Sequence, residues 1–287
     1  MLSATSTRPF GASSLTTTIF LERRLRAHLV VRDRLLYDSS YAAPARRASE
    51  FVHLFVQLGG TLHVAGAQPA TGPQAYVLAE SEFDRVQPGA RTFRSFGAPA
   101  TILELRALAA DLRLPIGLAH GPAALPPPVW DAYHALAAAP GEPALHALIA
   151  QLASSGILAP EVADTVVADE PERFTRIWEV LRPLYEDLAT STSLKQIATI
   201  AGLSLRQLGR DLGDFTRTFG LFGGGFRDAM RVLRLRAAAL FLSAPGSTPS
   251  DVARAVGYGS LDAMGRAFRD AQLPAPSVVQ EAVRYRD

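Results

Sequence analysis

Two stretches in the last third of the chain repeat one pattern, and this repeat narrows the possible folds more than any other feature. The first runs from Ser193 to Leu212 and the second from Pro249 to Phe268. Each has a short apolar run centred on a small residue (Ala198, Ala253), then a glycine (Gly202, Gly257), then a serine (Ser204, Ser260) that opens a second run. Ser204 and Ser260 are 56 residues apart, as are Arg210 and Arg266, and the turn of the second copy is one residue longer. A small alanine lets two helices cross closely. Glycine supplies the backbone conformation that ends the first helix. Serine caps the next helix by accepting a bond from an orphan backbone N–H, worth about 1 kcal/mol. The pattern predicts two helix-turn-helix units. Leu208, Leu212, Met264 and Phe268 should face the core, leaving arginines on the opposite face to fork onto guanine or grip phosphate.

The charge distribution points the same way. Residues 190–287 hold 13 basic and 8 acidic groups, whereas residues 1–189 hold 16 and 19, for a net charge of +2. A basic back joined to a mildly acidic front suits a chain whose back meets a polyanion. Of the 29 basic residues only Lys195 is a lysine. With no cysteine, a disulfide framework, a thiolate metal site and a cysteine nucleophile are excluded. No apolar run reaches 18 residues, and Met1–Thr18 is rich in Ser and Thr without the apolar core of a secretory signal, so a cytoplasmic protein without a membrane partner is expected.

The order and spacing resemble the DNA-binding domain of the AraC family of transcription regulators. The resemblance rests on Ser204, Arg206, Leu208 and Arg210 in the first recognition helix, and on Arg234, Leu235, Ala238, Phe241 and Leu242 in the connecting helix. It continues through Val252, Ala253, Gly257 and Tyr258, then Ser260 and Arg266-Ala267-Phe268, and spans about 100 residues, Phe174–Tyr285. The chain departs from the pattern at Gly223–Gly225, Met264 and Leu273, and has Gly209 and Gly265 where family members often carry a base-reading side chain. The resemblance implies a sequence-specific regulator, more often an activator, that acts as a homodimer on double-stranded DNA and meets RNA polymerase. The expected DNA-binding residues are Ser204, Arg206, Gln207 and Arg210 in the first unit and Ser260, Asp262, Arg266 and Arg269 in the second. The first set should discriminate bases, and the second should mainly hold the backbone. The connecting helix, Phe226–Ser243, carries Arg227, Arg231, Arg234 and Arg236, either against DNA or as a solvated face; the Arg234 position is structural in the family. A second reading keeps the double unit as a protein-interaction module without specific DNA binding, motivated by Gly209 and Gly265.

The front of the chain reads as β-rich, with runs at Ala27–Val31, Phe51–Leu58, Thr61–Val64, Ala75–Leu78 and Thr101–Leu105 separated by turn residues such as Gly59-Gly60 and Pro88-Gly89. Helical spacing follows in Val129–Ala138, Ala144–Ser154 and Glu172–Leu188, where Pro183 should kink the helix or mark its boundary. The expected fold class is α+β: a cupin-like sensing or dimerisation domain (1–125), a helical connector (126–170) that can form a dimer seam, and an all-α DNA-binding domain (171–287). His53 and His63 lack the spacing of a metal-binding cupin, so no metal or cofactor is expected. No nucleophile elbow, Walker loop or His-Glu-x-x-His motif exists, so no enzyme is expected either. Arg91 and Arg94 are candidates to hold an unknown small anionic effector if they face into the barrel.

Overall fold

In the front half of the chain the β-branched and aromatic runs form strands, and their alternation decides what each sheet face meets. The computed structural model describes residues 1–10, 13–32, 35–38, 50–58, 61–64, 70–71, 73–79, 91–95, 100–113, 123–165, 170–221, 226–242 and 246–284. The strands are β1 (Leu2–Phe10), β2 (Ser13–Leu21), β3 (Leu25–Arg32), β4 (Leu35–Asp38), β5 (Phe51–Leu58), β6 (Thr61–Val64), β7 (Ala70–Thr71), β8 (Gln74–Ala79), β9 (Arg91–Ser95) and β10 (Ala100–Leu108). They pair as a six-stranded sheet, β1-β2-β3-β10-β5-β8, and a four-stranded sheet, β4-β9-β6-β7. The fold class is α+β, as expected. Gly59-Gly60, Pro88-Gly89 and Gly223–Gly225 lie outside the described residues. The Ser/Thr-rich start, which carried no strand expectation, forms β1 and most of β2 as an antiparallel pair, with Leu2↔Leu21 and Thr7↔Thr16 in register.

Successive strand residues face opposite sides. One face of the larger sheet presents Leu29, Leu54, Val56, Leu103 and Leu105 to α1 (Pro127–Ala138), α2 (Glu142–Ser154) and α3 (Pro160–Thr165), all within one buried cluster. The Tyr133 hydroxyl donates to the Val56 carbonyl at 2.9 Å. Within the connector, the stripe Leu145, Leu148, Ile149 and Leu152 is buried within the chain's own core.

The opposite face is polar yet buried. Register sets Glu104 across from His28 on β3, and Arg106 across from Arg26 on β3 and His53 on β5. The C-terminal helices are α4 (Glu172–Glu186), α5 (Leu194–Ile200), α6 (Leu205–Thr218), α7 (Phe226–Leu242), α8 (Pro249–Ala255), α9 (Leu261–Asp270) and α10 (Pro276–Arg284), of which α4 and α7 lie against the sheet. Helix α4 continues past Pro183 to Glu186, so the proline is not its boundary. Polar contacts fasten the helices to the sheet. Arg236 of α7 pairs with Glu104, both buried. Arg106 donates to the Gly220 carbonyl just beyond α6. On β1, Ser6 donates to the Glu186 carbonyl at 2.8 Å while Arg8 pairs with Asp187. Arg236 thus corrects the solvated-face alternative at its position.

Burial alone would raise the Glu104 carboxyl, but Arg236, with a hydrogen bond to His53 and with His28 close by, holds it well below the usual carboxylate range. The contact therefore stays charged at physiological pH. Glu22 behaves in the opposite way. Burial pushes its carboxyl up from 4.5 to about 7, against the pull of the chain's amino terminus and with help from Glu170 and Glu142. A carboxyl whose pKa is raised on folding favours the folded state fully below about 4.5 and loses that contribution as pH rises toward 7. Glu22→Gln should therefore flatten this part of the pH dependence: the stability difference between wild type and variant, measured by urea unfolding, shifts against wild type from pH 5 to pH 7.

Candidate nucleic-acid interface

Each helix-turn-helix unit is built by its caps and its glycine. In the first, Ser193 caps α5 and Ser204 caps α6, each in a capping box with Gln196 or Gln207. Ser204 Oγ accepts from the Gln207 backbone N–H at 3.2 Å, and Gln207 Oε1 accepts from the Ser204 N–H at 3.1 Å. In the second, Thr248 caps α8 and Ser260 caps α9, accepting from the Ala263 N–H at 3.1 Å. Alanine at that third position cannot reach back, so the second unit has a cap but no box. The two turns pass through left-handed glycines, Gly202 at φ +66° and Gly257 at φ +80°. Ala198 and Ala253 are buried at the helix crossings.

Helical periodicity then divides the faces. On α6, Leu208, Leu212 and Phe215 are buried. Phe215 meets Phe174 of α4 edge-on at 5.9 Å and stacks on Trp178 at 6.3 Å, which fixes how α6 stands on its support. The opposite edge exposes Arg206, Gln207 and Arg210, with Gly213 and Arg217 further along. On α9, Met264 and Phe268 are fully buried, and Asp262, Arg266 and Arg269 are exposed. The two serines are exposed as well, with their hydroxyls engaged in capping. All eight residues singled out from the sequence thus lie in the two recognition helices or at their caps. Sequence reasoning did not single out Leu205, an exposed apolar residue at the first helical position, matched in the second unit by Leu261.

The arginines are not equivalent. Arg173 and Arg217 both pair with Asp214, and Arg254 pairs with Asp251. Among the described residues, Arg206, Arg210, Arg266 and Arg269 make no ion pair or hydrogen bond. The remaining candidates, Arg91 and Arg94, stand on β9 opposite Val64 and Thr61 of β6. Their side chains, and that of His63, lie outside the described residues. No cluster of His, Asp or Glu able to hold a metal ion occurs among the described residues, and no helix there is long and apolar enough to cross a membrane.

No family model and no curated protein matches the chain. Solved structures do. ToxT from Vibrio cholerae aligns over 89% of this chain and 97% of its own, at 9% identity and a TM-score of 0.39. The AraC-like transcriptional activator CuxR aligns over 80% of this chain and 84% of its own, at 14% identity and a TM-score of 0.30. A DNA-binding transcriptional dual regulator from Escherichia coli K-12 aligns over 42% of this chain and 98% of its own, at 22% identity and a TM-score of 0.33.

The glycines of the two units separate by what surrounds them. A Cβ at Gly257 would collide with the Leu188 carbonyl and approach the Arg234 guanidinium, whose Nη2 donates to the Thr190 carbonyl at 3.4 Å. A Cβ at Gly209 or Gly265 would touch nothing. Gly209→Ala and Gly265→Ala should each stabilise the protein by about 0.5–1 kcal/mol, the ordinary helix preference, while Gly257→Ala should destabilise it by more than that. Urea unfolding midpoints check both signs.

Proposed function

We propose that the chain is a sequence-specific DNA-binding transcription regulator, in which residues 171–287 grip duplex DNA and residues 1–170 govern how they are presented. The observation that carries this reading is the set of four arginines, two on each recognition helix, left exposed and unpaired while neighbouring arginines are neutralised by aspartates. Unpaired guanidiniums on the outer edge of a recognition helix suit guanine O6/N7 and phosphate alike. In the first unit, Arg206 and Arg210 read bases. Gln207 contributes its amide N–H, because its carbonyl is held by Ser204. In the second unit, Arg266 and Arg269 grip phosphates, and Asp262 accepts from a cytosine amine.

Control through the front of the chain is the finer part of the reading. A cavity of about 70 Å³ lies between the polar sheet face and α7, lined by Arg26, His28, Tyr185, Leu233, Arg236 and Phe241 among others. That space holds roughly two waters at ~30 Å³ each. A small effector would enter by parting the two layers, and its preference for the parted arrangement supplies the only energy available for switching. A homodimer, activation through RNA polymerase and a cytoplasmic location complete the reading, with an effector site at Arg91 and Arg94 as an alternative entry. The second reading, an interaction module, is favoured by exposed Ile200 and Leu205 at 70% and 58% accessibility on the first unit.

Selection of DNA from a random pool by the full-length protein tests the proposal. The expected result is a site with two half-elements about 10 base pairs apart, bound at least ~10³-fold more tightly than scrambled DNA. Arg206→Ala should weaken the selected site by about 5- to 150-fold and leave scrambled DNA nearly unchanged. Arg266→Ala should weaken both alike. A selected-to-scrambled ratio near one would transfer the function to the interaction module. For the control layer, Arg236→Ala leaves Glu104 to Arg26 and the two histidines and should cost at most about 3–5 kcal/mol by urea unfolding, still above the effect of Arg227→Ala.

A further inference from the structure

A sheet leaves a row of backbone donors and acceptors along each outer strand, and the six-stranded sheet treats its two edges differently. On β8, Ala75 exchanges both backbone hydrogen bonds with Ala123 at 2.9 Å, and Val77 and Ala79 are engaged as well. On β1, among the described residues, no hydrogen bond reaches the backbone from outside its ladder with β2. The open strand is long: Leu2–Phe10 has 9 residues, against roughly 5–6 in a typical strand. Free edges are usually blunted by a short strand, by lysine or proline, or by a covering loop. β1 has no lysine, and its one charged residue and one proline, Arg8 and Pro9, stand at its far end. Pro9 lies opposite Ser14 in the ladder and has no N–H to give it. Pairs that exchange bonds alternate with pairs that do not, so Pro9 places the outward backbone groups at Ser3, Thr5 and Thr7. The side chains of these three are exposed on one face of the strand, whereas Leu2 and Ala4 pack on the other in the cluster that holds Trp178 and Leu181 of α4.

We propose that the β1 edge is the seam of a homodimer, closed by the β1 strand of a second copy of this chain running antiparallel about a two-fold axis at Thr5. This gives a surface to the homodimer of the reading above and rests on that part of it; the pairing itself does not need DNA. Three features select a second copy. The strand is self-complementary about Thr5. Thr5 meets the partner's Thr5 and Ser3 meets the partner's Thr7, each pair exchanging two backbone bonds. Their hydroxyls extend the rows already formed by Thr5 with Thr18 and Thr7 with Thr16, at 3.0 Å each. The charges are compatible too. Arg8 falls opposite the partner's Leu2, so the two Arg8 guanidiniums stand at opposite ends of the seam, each already paired with Asp187 of its own copy. The third feature is the direction of the axis. A two-fold that pairs antiparallel strands runs perpendicular to the sheet and keeps like faces together. Helices α4 and α7, which lie against one face, then stand on the same side of the joined sheet in both copies, as a shared duplex requires. A strand from an unrelated protein need satisfy none of the three.

Sedimentation velocity of the full chain over a range of concentrations reads the oligomeric state of wild type, Thr5→Lys, Thr5→Cys and Ser3→Cys. Wild type is expected to be dimeric. Thr5→Lys sets two like charges directly across the seam and should be monomeric at concentrations where wild type is dimeric, with an unchanged far-UV circular dichroism spectrum. The chain has no cysteine of its own, so each introduced thiol is alone in its protomer. Under mild oxidation Thr5→Cys should give a covalent dimer, because the two Cα atoms face each other at about 4.5–5.5 Å, within disulfide range. Ser3→Cys should not, because its two copies are offset by four residues, about 13 Å along the strands. A wild-type dimer that survives Thr5→Lys, or that cross-links Ser3→Cys as readily as Thr5→Cys, overturns the proposal and leaves the homodimer to another surface. A wild type that is monomeric with and without the selected DNA overturns the proposal and the homodimer reading together, while its DNA affinity decides the regulator reading separately. Should Thr5→Lys fail to fold, the cysteine pair alone decides.

Discussion

A carboxylate in the middle of β10 and a guanidinium on α7, 132 residues later in the chain, meet where both are buried. Taking either charge out of water alone costs several kcal/mol, so each makes the other obligatory. Around Glu104 the two histidines and Arg26 complete the shell, with Arg26 Nη2 at 3.7 Å. The rest of the arrangement depends on this pairing. Helix α7 is the span between the two helix-turn-helix units, so fixing it against the sheet orients both recognition helices at once. The Arg106–Gly220 and Arg8–Asp187 contacts then hold the ends of α6 and α4 to the same sheet. A buried central charge pair is thus flanked by a guanidinium–carbonyl contact and by a partly exposed charge pair.

The C-terminal units were legible in the sequence because their determinants are local. A serine cap, a left-handed glycine, an alanine at a crossing and an i, i+4 apolar stripe each act within a few residues, so Ser204, Gly202, Ala198 and Leu208 declare their roles by spacing alone. The five strand runs were legible for a similar reason. What escaped depends on distant partners. Arg26, His28, Glu104 and Arg106 alternate with apolar residues, and that alternation reads as a solvent-facing edge. It is instead a face buried by helices that arrive more than a hundred residues later. Arg236 sits in a row with Arg227 and Arg231, and nothing in its neighbourhood says that it alone turns toward a carboxylate. The β1–β2 hairpin was missed because its threonines and serines look like a polar leader. Paired across the sheet, Thr5 with Thr18 and Thr7 with Thr16 at 3.0 Å each, they form hydroxyl ladders.

The two units share a plan but differ in quality. The first has two capping boxes and an aromatic seat under α6; the second has plain caps and a recognition helix with an acid in its first turn. Asp262 complements the positive end of the helix dipole, so it is well placed for folding whatever it does at a base. The glycines follow the same logic. Gly257 is demanded by the packing around Leu188 and Arg234, whereas Gly209 and Gly265 weaken their helices with no internal reason.

The exposed cations of both recognition helices are all arginine, and Lys195, on the exposed side of α5, is the single lysine of the chain. A guanidinium keeps its charge at any physiological pH and is not a target of lysine acylation. Apart from Lys195, the positive surface therefore cannot be dimmed by acetyl transfer or by a drop in acidity. A cell that needed to silence such a surface would have to move it, cover it or degrade it.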